Sequence, residues 1–484
     1  MNILNNLFKL HLDIAIFLKK YIHQNNGFSS RSFYGETFSL NLLYQNGILD
    51  NESKNILLNS FEKIDKNNPE FHWEFNNYAL LNYLKSSKNS EIQKYLDLLK
   101  FKNTPVTNWT LLRSVSRLIA NKESELAIKE AREKIENFQL KSGLILDQKD
   151  DKSFQYHCFS MAMVAEIYEE TNDEYFKNSF LKGVAFIRNF ILSNGETLYI
   201  GRGQNQSFGY GALIYILSLA YKYTNDKTLL GDIKKVFNFI QQFQRLDGSF
   251  PLVLNGLEKG IPQIIDKKDE QFAGWYPYNN YFDYLPFMGY FIAKATSLLE
   301  ELDTSNSEYR DQVNYEDDNF IKVVYKGYEA VLSKPGGYWT NDMPIPYIVS
   351  RNQALTPCYG GEQFQDSLYS FKGIALPYFE KFKKSIRWKG KSFFMHNVLW
   401  VISPLGIMRR KYDFSDNYII IETRVFTIWS YKHLYLFKED YLDICSEIDN
   451  MHFEGYEYSA SGKLFCYSNK DSISKITLKV KNES

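Results

Sequence analysis

One spacing limits what this chain can fold into. A stretch that reads as helix, glycine stop, polar loop and second helix recurs along the first 290 residues, with glycines at Gly27, Gly143, Gly195 and Gly248. From Gly143 to Gly195 is 52 residues, and from Gly195 to Gly248 is 53. Phe190-Ile-Leu-Ser-Asn-Gly195 leads through a polar loop to a second helix over Ala212–Tyr221, and Phe138-Gln-Leu-Lys-Ser-Gly143 leads in the same way to Met161–Tyr168. Phe17 to Gly27 precedes a helix over Tyr34–Gln45, and Phe243 to Gly248 leads through a longer loop to Tyr278–Leu299. Two weaker copies place second helices near Phe75–Lys85 and Asn108–Asn121. Repeats of this length are stacked supersecondary units that share a core, and six pairs are enough to close a ring.

The two helices of a unit differ as a ring requires. Lys234–Phe243 has an apolar stripe and a wet face, which suits an outer helix. Ala212–Tyr221 is apolar almost all round and needs burial on every side, which suits an inner one. The pattern predicts an (α/α)6 toroid over residues 1–302, with an open solenoid as the alternative stacking. Residues 303–319 turn polar and charged and read as a linker. Beyond them Phe320–Tyr325, Tyr328–Ser333, Asn397–Ser403, Asn417–Phe426, His433–Phe437 and Lys475–Val480 are β-branched and aromatic, divided by turn residues. With no helical pattern between them, residues 320–484 are expected to form an antiparallel β-sandwich, making the chain multidomain, α then β.

Charge removes some functions. Lys plus Arg and Asp plus Glu number 57 each, and nucleic acid is not expected as a partner, because phosphate neutralisation draws on a basic surplus. No stretch approaches the ~18 uncharged apolar residues of a membrane span. Met1–Asp13 lacks a basic region and a small-residue cleavage site, so it reads as the first amphipathic helix and the expected location is cytoplasmic. Cys158, Cys358, Cys445 and Cys466 show no metal spacing; they read as free thiols, with Cys445 and Cys466 the one pair that could bridge. His396, His433 and His452 are too scattered to predict a metal in the sandwich, and no cofactor is expected. Gly201–Gly209 is rich in glycine but follows a helix and not a strand, so it is not a dinucleotide loop. Nothing in the sequence bears on oligomeric state.

Inner helices of such a ring run the same way, so their starts gather at one mouth. Each start leaves N–H groups unpaired and carries about half a positive charge, and several together favour an anionic ligand. The residues there are Tyr34 and Glu36; Asn76 and Asn77; Asn108 and Trp109; Gln155, Tyr156 and His157; Arg202, Gln204, Asn205 and Tyr210; and Tyr278, Asn279, Asn280 and Asp283. For the asparagines, N-capping is the competing role. Trp275–Tyr284 is dense in rings and amides suited to sugars, against packing of the last helix as the alternative, and Gly336–Pro346 reads as a loop from the sandwich over the mouth that brings Trp339 to substrate.

Asp151-Lys-Ser-Phe-Gln-Tyr-His157 resembles the Asp-Gly-Ser-Phe-x-Gln-His segment of the toroid polysaccharide lyases, the hyaluronate/chondroitin, alginate and heparinase II/III-like group. Lys152 stands in place of the glycine, and the glutamine comes one place early. The resemblance implies a toroid followed by a sandwich, His157 at the catalytic cleft, and a catalytic tyrosine one repeat further on, which Tyr210 matches at 53 residues. It also implies a sandwich histidine, for which His396 is the candidate. The implied reaction is cleavage of a uronic-acid glycan by β-elimination, in which the C5 proton leaves and the O4 leaving group is protonated. His157, Asn77, Gln204 and Arg202 have the chemistry to hold the substrate carboxylate, and Tyr210 or His157 to act as base. Tyr156, Gln204, Asn205, Trp275, Tyr278, Asn280, Trp339 and His396 are expected to contact the acidic polysaccharide. Three functions compete: a uronate C5-epimerase, a noncatalytic glycan-binding or polysaccharide-assembly protein, and a glycoside hydrolase. The hydrolase would draw two carboxyl groups ~5–10 Å apart from Glu36, Asp147, Asp151, Glu196 and Asp283.

Overall fold

The structure, a computed structural model, describes residues 3–28, 32–68, 71–97, 100, 106–254, 272–273, 281–337, 339–340, 343–350, 353–356, 361–362, 375–438, 442–446, 450–457, 460–469 and 473–480. The helical half holds α1 (Ile3–Asn25), α2 (Gly35–Gln45), α3 (Asn51–Lys63), α4 (Trp73–Ser87), a 3-10 turn (Ser90–Tyr95), α5 (Thr107–Ile119), α6 (Ser124–Phe138), α7 (Phe154–Thr171), α8 (Glu174–Arg188), α9 (Ser207–Thr224), α10 (Lys227–Gln241) and α11 (Tyr281–Glu300).

Burial sorts these helices into two layers. Every residue of α9 from Ser207 to Tyr221 is buried, and so is every residue of α7 from Phe154 to Ile167. In α6 only Ala127, Ala131 and Ile135 are buried, a single stripe at four-residue spacing. The apolar helices pack in the order α2, α4, α5, α7, α9, α11, and α11 returns to α2. Outside them α1 lies on α11 and α2, α3 on α2, α6 on α5, α8 on α7 and α10 on α9.

The repeated glycines make the outer stacking possible. Gly143, Gly195 and Gly248 have φ of +106°, +88° and +86°. A Cβ on them would stand 2.3 Å from Lys182 O in α8, 2.1 Å from Lys235 O in α10 and 2.7 Å from Asp13 O in α1. Each glycine thus lets the end of one outer helix touch the backbone of the next, and Gly248 carries the series round to the first helix. A second repeat joins inner helix to outer. In Thr171-Asn172-Asp173 and Thr224-Asn225-Asp226 the asparagine is left-handed, and the aspartate caps the following helix by accepting from Tyr175 N (3.0 Å) or Thr228 N (3.0 Å).

The C-terminal half is built of antiparallel sheets. A five-stranded sheet runs, in spatial order, Tyr315–Glu316, Phe320–Val324, Glu329–Ser333, Met343–Ser350, Gln353–Ala354. A six-stranded sheet runs Lys391–Met395, Val398–Ser403, Gly406–Phe414, Tyr418–Phe426, Ile473–Val480, Leu442–Ser446. A third sheet orders Phe272–Ala273, Asn450–Glu457, Ala460–Asn469 and His433–Lys438, so a piece of the chain ahead of α11 pairs with a strand of the C-terminal half. Cys445 and Cys466 lie on strands of different sheets.

The five-stranded sheet is a middle layer, which explains why Glu329–Ser333 and Met343–Ser350 are buried throughout. Phe320, Val331, Met343, Tyr347 and Val349 join the helical core, whereas Ile321, Ala330, Leu332, Ile345 and Ile348 share a second core with Leu399, Met408, Ile421, Ile476 and Leu478 of the six-stranded sheet. Among the described residues no helix is long and apolar enough to cross a membrane.

Candidate functional site

The starts of the inner helices gather aromatic side chains. Tyr34 stacks on Phe75 with ring centres 4.6 Å apart, Phe75 meets Trp109 at 5.7 Å, Tyr156 meets Phe208 at 5.9 Å, and Phe208 meets Tyr284 at 4.3 Å. Thus α2, α4, α5, α7, α9 and α11 each supply one ring at or next to its first turn. Beneath them Phe287 touches Phe38, Phe75, Phe159 and Phe208 and fills the middle of the bundle. His72 stands edge-on to Trp109 at 4.5 Å. The six rings are nearly buried, and Trp109 is the most open of them.

Polar groups lie beside this aromatic floor. The Arg202 guanidinium sits 4.4 Å over the Tyr156 ring and brings Nη1 within 3.5 Å of Asp147 Oδ2. Ser153 caps α7, accepting from Tyr156 N, and its hydroxyl donates to Arg202 O at 3.3 Å, which fixes the Arg202 loop against the start of α7. Thr107 N at the start of α5 donates to Asp147 O (3.1 Å), so α5, α7 and the loop before α9 converge here. Burial pushes the Asp147 carboxyl up from its ordinary range, and Arg202 partly opposes it.

Several of these side chains have polar atoms left over. Asn108 Oδ1 and Nδ2, Gln155 Oε1, Gln204 Nε2, Gln206 Nε2 and both Asp147 carboxylate oxygens are buried with no hydrogen-bond partner among the described residues. A buried polar group left unpaired costs about 1–3 kcal/mol, and native chains keep few of them. Amides concentrated at three neighbouring helix starts therefore mark a place where water or a polar ligand completes the bonding.

The expectation that His157 and Tyr210 line this mouth is corrected. His157 is sealed: its Nδ1 accepts from Ile145 N at 3.1 Å and its Nε2 donates to Gly183 O of α8 at 3.0 Å, so both nitrogens serve the backbone. Burial holds the imidazole down at about 4. Tyr210 is equally sealed. Its hydroxyl accepts from Thr197 N (3.3 Å) and donates to Asn205 Oδ1 (2.9 Å), its ring packs on Phe239 of α10, and Asn205 in turn donates to Glu196 Oε1 (2.7 Å). Asn77 ties α4 to the chain after the 3-10 turn, exchanging bonds with Asp97 O (2.8 Å) and Asp97 N (3.0 Å).

The physical reason is phase. Each residue advances a helix by about 100°. Tyr156 and Phe208 face the mouth, so His157 is turned off it by one step and Tyr210 by two; Asn77 is likewise two steps past Phe75.

The other expected residues divide. Arg202, Tyr156 and Gln204 are in or beside the group just described, whereas Asn205 is committed to Tyr210 and Glu196. His396 is exposed on the hairpin tip between Lys391–Met395 and Val398–Ser403. Trp339 lies on a two-residue strand paired with Gly361–Glu362, its side chain outside the described residues; Trp275, Tyr278 and Asn280 lie outside them altogether. Of the carboxylates weighed for hydrolysis, Asp283 accepts from the N–H groups of Phe33, Tyr34 and Gly35 (2.8 Å each), Glu36 accepts from Ser32 and Ser60, and Glu196 accepts from Asn205 and Tyr347. Asp147 pairs with Arg202 at 3.5 Å. Phe208 and His72 were not among the expected residues, and Tyr284 entered only as the end of the Trp275–Tyr284 stretch. The signal for Phe208 is in the chain: it follows Tyr156 by 52 residues, one repeat.

No protein-family model matches the sequence, and no curated protein matches it. Solved structures do resemble it at low identity. A polysaccharide lyase shares 12% identity at a TM-score of 0.42, covering 61% of this chain and 99% of its own. An unsaturated glucuronyl hydrolase specific for heparin shares 10% at 0.46, covering 62% and 100%. An α-1,6-mannanase from Salegentibacter sp. shares 12% at 0.45, covering 60% and 99%. At such values the likeness fixes neither substrate nor reaction.

Proposed function

We propose that this chain is an enzyme acting on an acidic glycan at the mouth of an (α/α)6 toroid, and that it cleaves a uronic-acid linkage by β-elimination. The observation that carries the reading is the Arg202 guanidinium over Tyr156 beside amide atoms that lack a partner among the described residues, Asn108 Oδ1 and Nδ2, Gln155 Oε1 and Gln204 Nε2. Flat rings accept the faces of a sugar, amides pair with its hydroxyls, and the guanidinium takes a carboxylate. The chemistry then has two parts. Arg202 and the amides hold the uronate carboxylate while charge builds on it, and Tyr156 as phenolate takes the C5 proton. As the C4–O bond breaks and the C4=C5 double bond forms, the phenol so made returns a proton to O4.

A second reading rests on Asp147. A carboxyl group whose burial favours the protonated form is suited to be the general acid of a glycosidase, which would make the reaction a hydrolysis.

The two are separated by incubating the protein with a panel of uronate polymers and following both the ultraviolet absorbance of an unsaturated product and the release of reducing ends. Elimination predicts absorbance, a loss of about 10²–10⁴ in kcat for Tyr156→Phe, and a loss of about 10²–10³ for Arg202→Gln. Reducing ends without absorbance, together with an inactive Asp147→Asn, would transfer the assignment to hydrolysis. A panel that yields neither signal would leave a glycan-binding protein.

A further inference from the structure

The six-stranded sheet turns one face to the second core and the other to solvent. Side chains alternate along a strand, so Leu399, Met408, Ile421, Ile476 and Leu478 point inward and their neighbours point out. The register lines the outward residues up in rows that cross the strands. One row is Phe393, Trp400, Arg409, Arg424 and Ile473. On one side of it stand Lys391, Ile402, Ile407 and Phe426, and on the other Met395, Val398, Lys411, Glu422 and Lys475. The solvent face of an antiparallel sheet is ordinarily polar, yet Ile402, Met395, Ile473 and Phe426 are here 44%, 58%, 54% and 57% exposed. Apolar residues gathered on a surface in this way mark a place where something binds.

Charge says what binds. The same three rows carry five cations, Lys391, Arg409, Lys411, Arg424 and Lys475, and the carboxylate Glu422. Glu422 is shared, 2.9 Å from Arg424 Nε and 3.6 Å from Arg409 Nη1, and Lys411 meets Asp413, one row further on, at 2.8 Å. Five cations against two carboxylates leave this face positive in a chain that is neutral as a whole. A second copy of the chain would bring the same positive face, and like charges would meet. A membrane-binding surface keeps its cations off the apolar side, whereas here guanidinia and rings share one row. An acidic polysaccharide fits both features, because the flat rings take sugar faces and the guanidinia take carboxylates or sulfate esters. Strands lie about 4.8 Å apart, close to the length of one pyranose residue, so successive sugars laid along a row would each meet one side chain.

We propose that the outward face of the six-stranded sheet is a noncatalytic binding surface for an acidic polysaccharide, with Phe393 and Trp400 against the sugar rings and Arg409 and Arg424 on the anionic groups. This rests on the acidic-glycan reading of the mouth and gives the same polymer a second contact, but its test does not need turnover. The full-length protein carrying Tyr156→Phe, to keep the polymer whole, is run by affinity electrophoresis through gels holding polygalacturonate, heparin or neutral dextran. One or both anionic polymers should retard it and dextran should not, with polygalacturonate reporting carboxylates and heparin sulfate esters. Trp400→Ala, and separately Arg409→Gln with Arg424→Gln, should each weaken the binding about tenfold or more, and added salt should weaken it further. Trp400, Arg409 and Arg424 belong to neither core, so the urea midpoint should not move. In protein with Tyr156 intact, the same substitutions should raise KM for the polymer and leave kcat/KM for a short uronate oligosaccharide unchanged. Retardation that both sets of substitutions leave intact, or none with either anionic polymer, would overturn the surface. So would binding to phosphatidylserine vesicles without retardation by polymer, or a dimer in sedimentation that Trp400→Ala dissociates. Cleavage of the short oligosaccharide by a protein that neither polymer retards would leave the reading of the mouth standing, and retardation without cleavage would leave the surface standing.

Discussion

His157 is held neutral by its surroundings, and that has a measurable sign. Its imidazole is held at about 4 in the folded chain and titrates near 6.5 when unfolded. Between those values the unfolded chain binds more protons, so stability is lost as the pH falls from about 6.5 to about 4, by about 3 kcal/mol when complete. His157→Gln is expected to flatten this acid limb in urea unfolding curves compared at pH 7.5 and 4.5, while leaving any glycan cleavage in place. Glu36 has the opposite sign. Burial raises its carboxyl to about 7 despite bonds from Ser32 and Ser60, so the folded chain binds more protons than the unfolded one above pH ~4.5. Stability is therefore lost as the pH rises from about 4.5 to about 7, by about 3 kcal/mol. Glu36→Gln keeps the size and can still bond both hydroxyls, and it is expected to raise the urea midpoint at pH 8 and not at pH 4.5. At this scale the sequence pointed to the start of α7, and the structure separates two adjacent residues there: Tyr156 joins the aromatic group at the helix starts and His157 is sealed in the core. Tyr156 was expected as a substrate contact and His157 as a catalyst, yet the two differ by one step of a helix, and no single sequence states which step faces inward.

At the scale of elements, the glycines were legible as helix stops but not as contacts. Gly195 has a left-handed φ and also lies against the backbone of α10. Gly195→Ala therefore adds a steric clash to a conformational strain, and a loss of about 2–4 kcal/mol is expected. Gly47, at φ +66° with nothing within 4 Å of a Cβ, provides the comparison: Gly47→Ala is expected to cost about 1–2 kcal/mol, the conformational part alone. Both are read as shifts of the urea midpoint. The inner and outer roles of the helices were also legible, because an all-apolar stretch such as Ala212–Tyr221 and a striped one such as Lys234–Phe243 carry their burial in their composition. The third outer element was not legible; it is the short 3-10 turn Ser90–Tyr95, which offers no period to read.

At the scale of the whole molecule, the middle sheet joins the two halves through buried polar pins. Lys322 pairs with Glu329 at 3.3 Å and donates to Asn189 O at 2.9 Å, while Glu329 accepts from Ser193 N at 2.6 Å. Lys322→Met strips the cation from a buried carboxylate and is expected to cost about 3–5 kcal/mol, most of it recovered when Glu329→Leu is added; differential scanning calorimetry of both variants measures this. The order of these parts was written in the chain: apolar periods of 3.6 and then of 2, together with glycines 52 and 53 residues apart, dictate paired helices followed by strands, because burying those stripes admits few other packings. What the tertiary structure alone decided is which side chain of each inner helix reaches the mouth, and that Tyr210, Asn205 and Glu196 serve the join between the halves and not a ligand. A repeat length fixes which residues are equivalent from unit to unit. It does not fix the rotation of each helix about its own axis, which is set by the neighbours packed on every side of it.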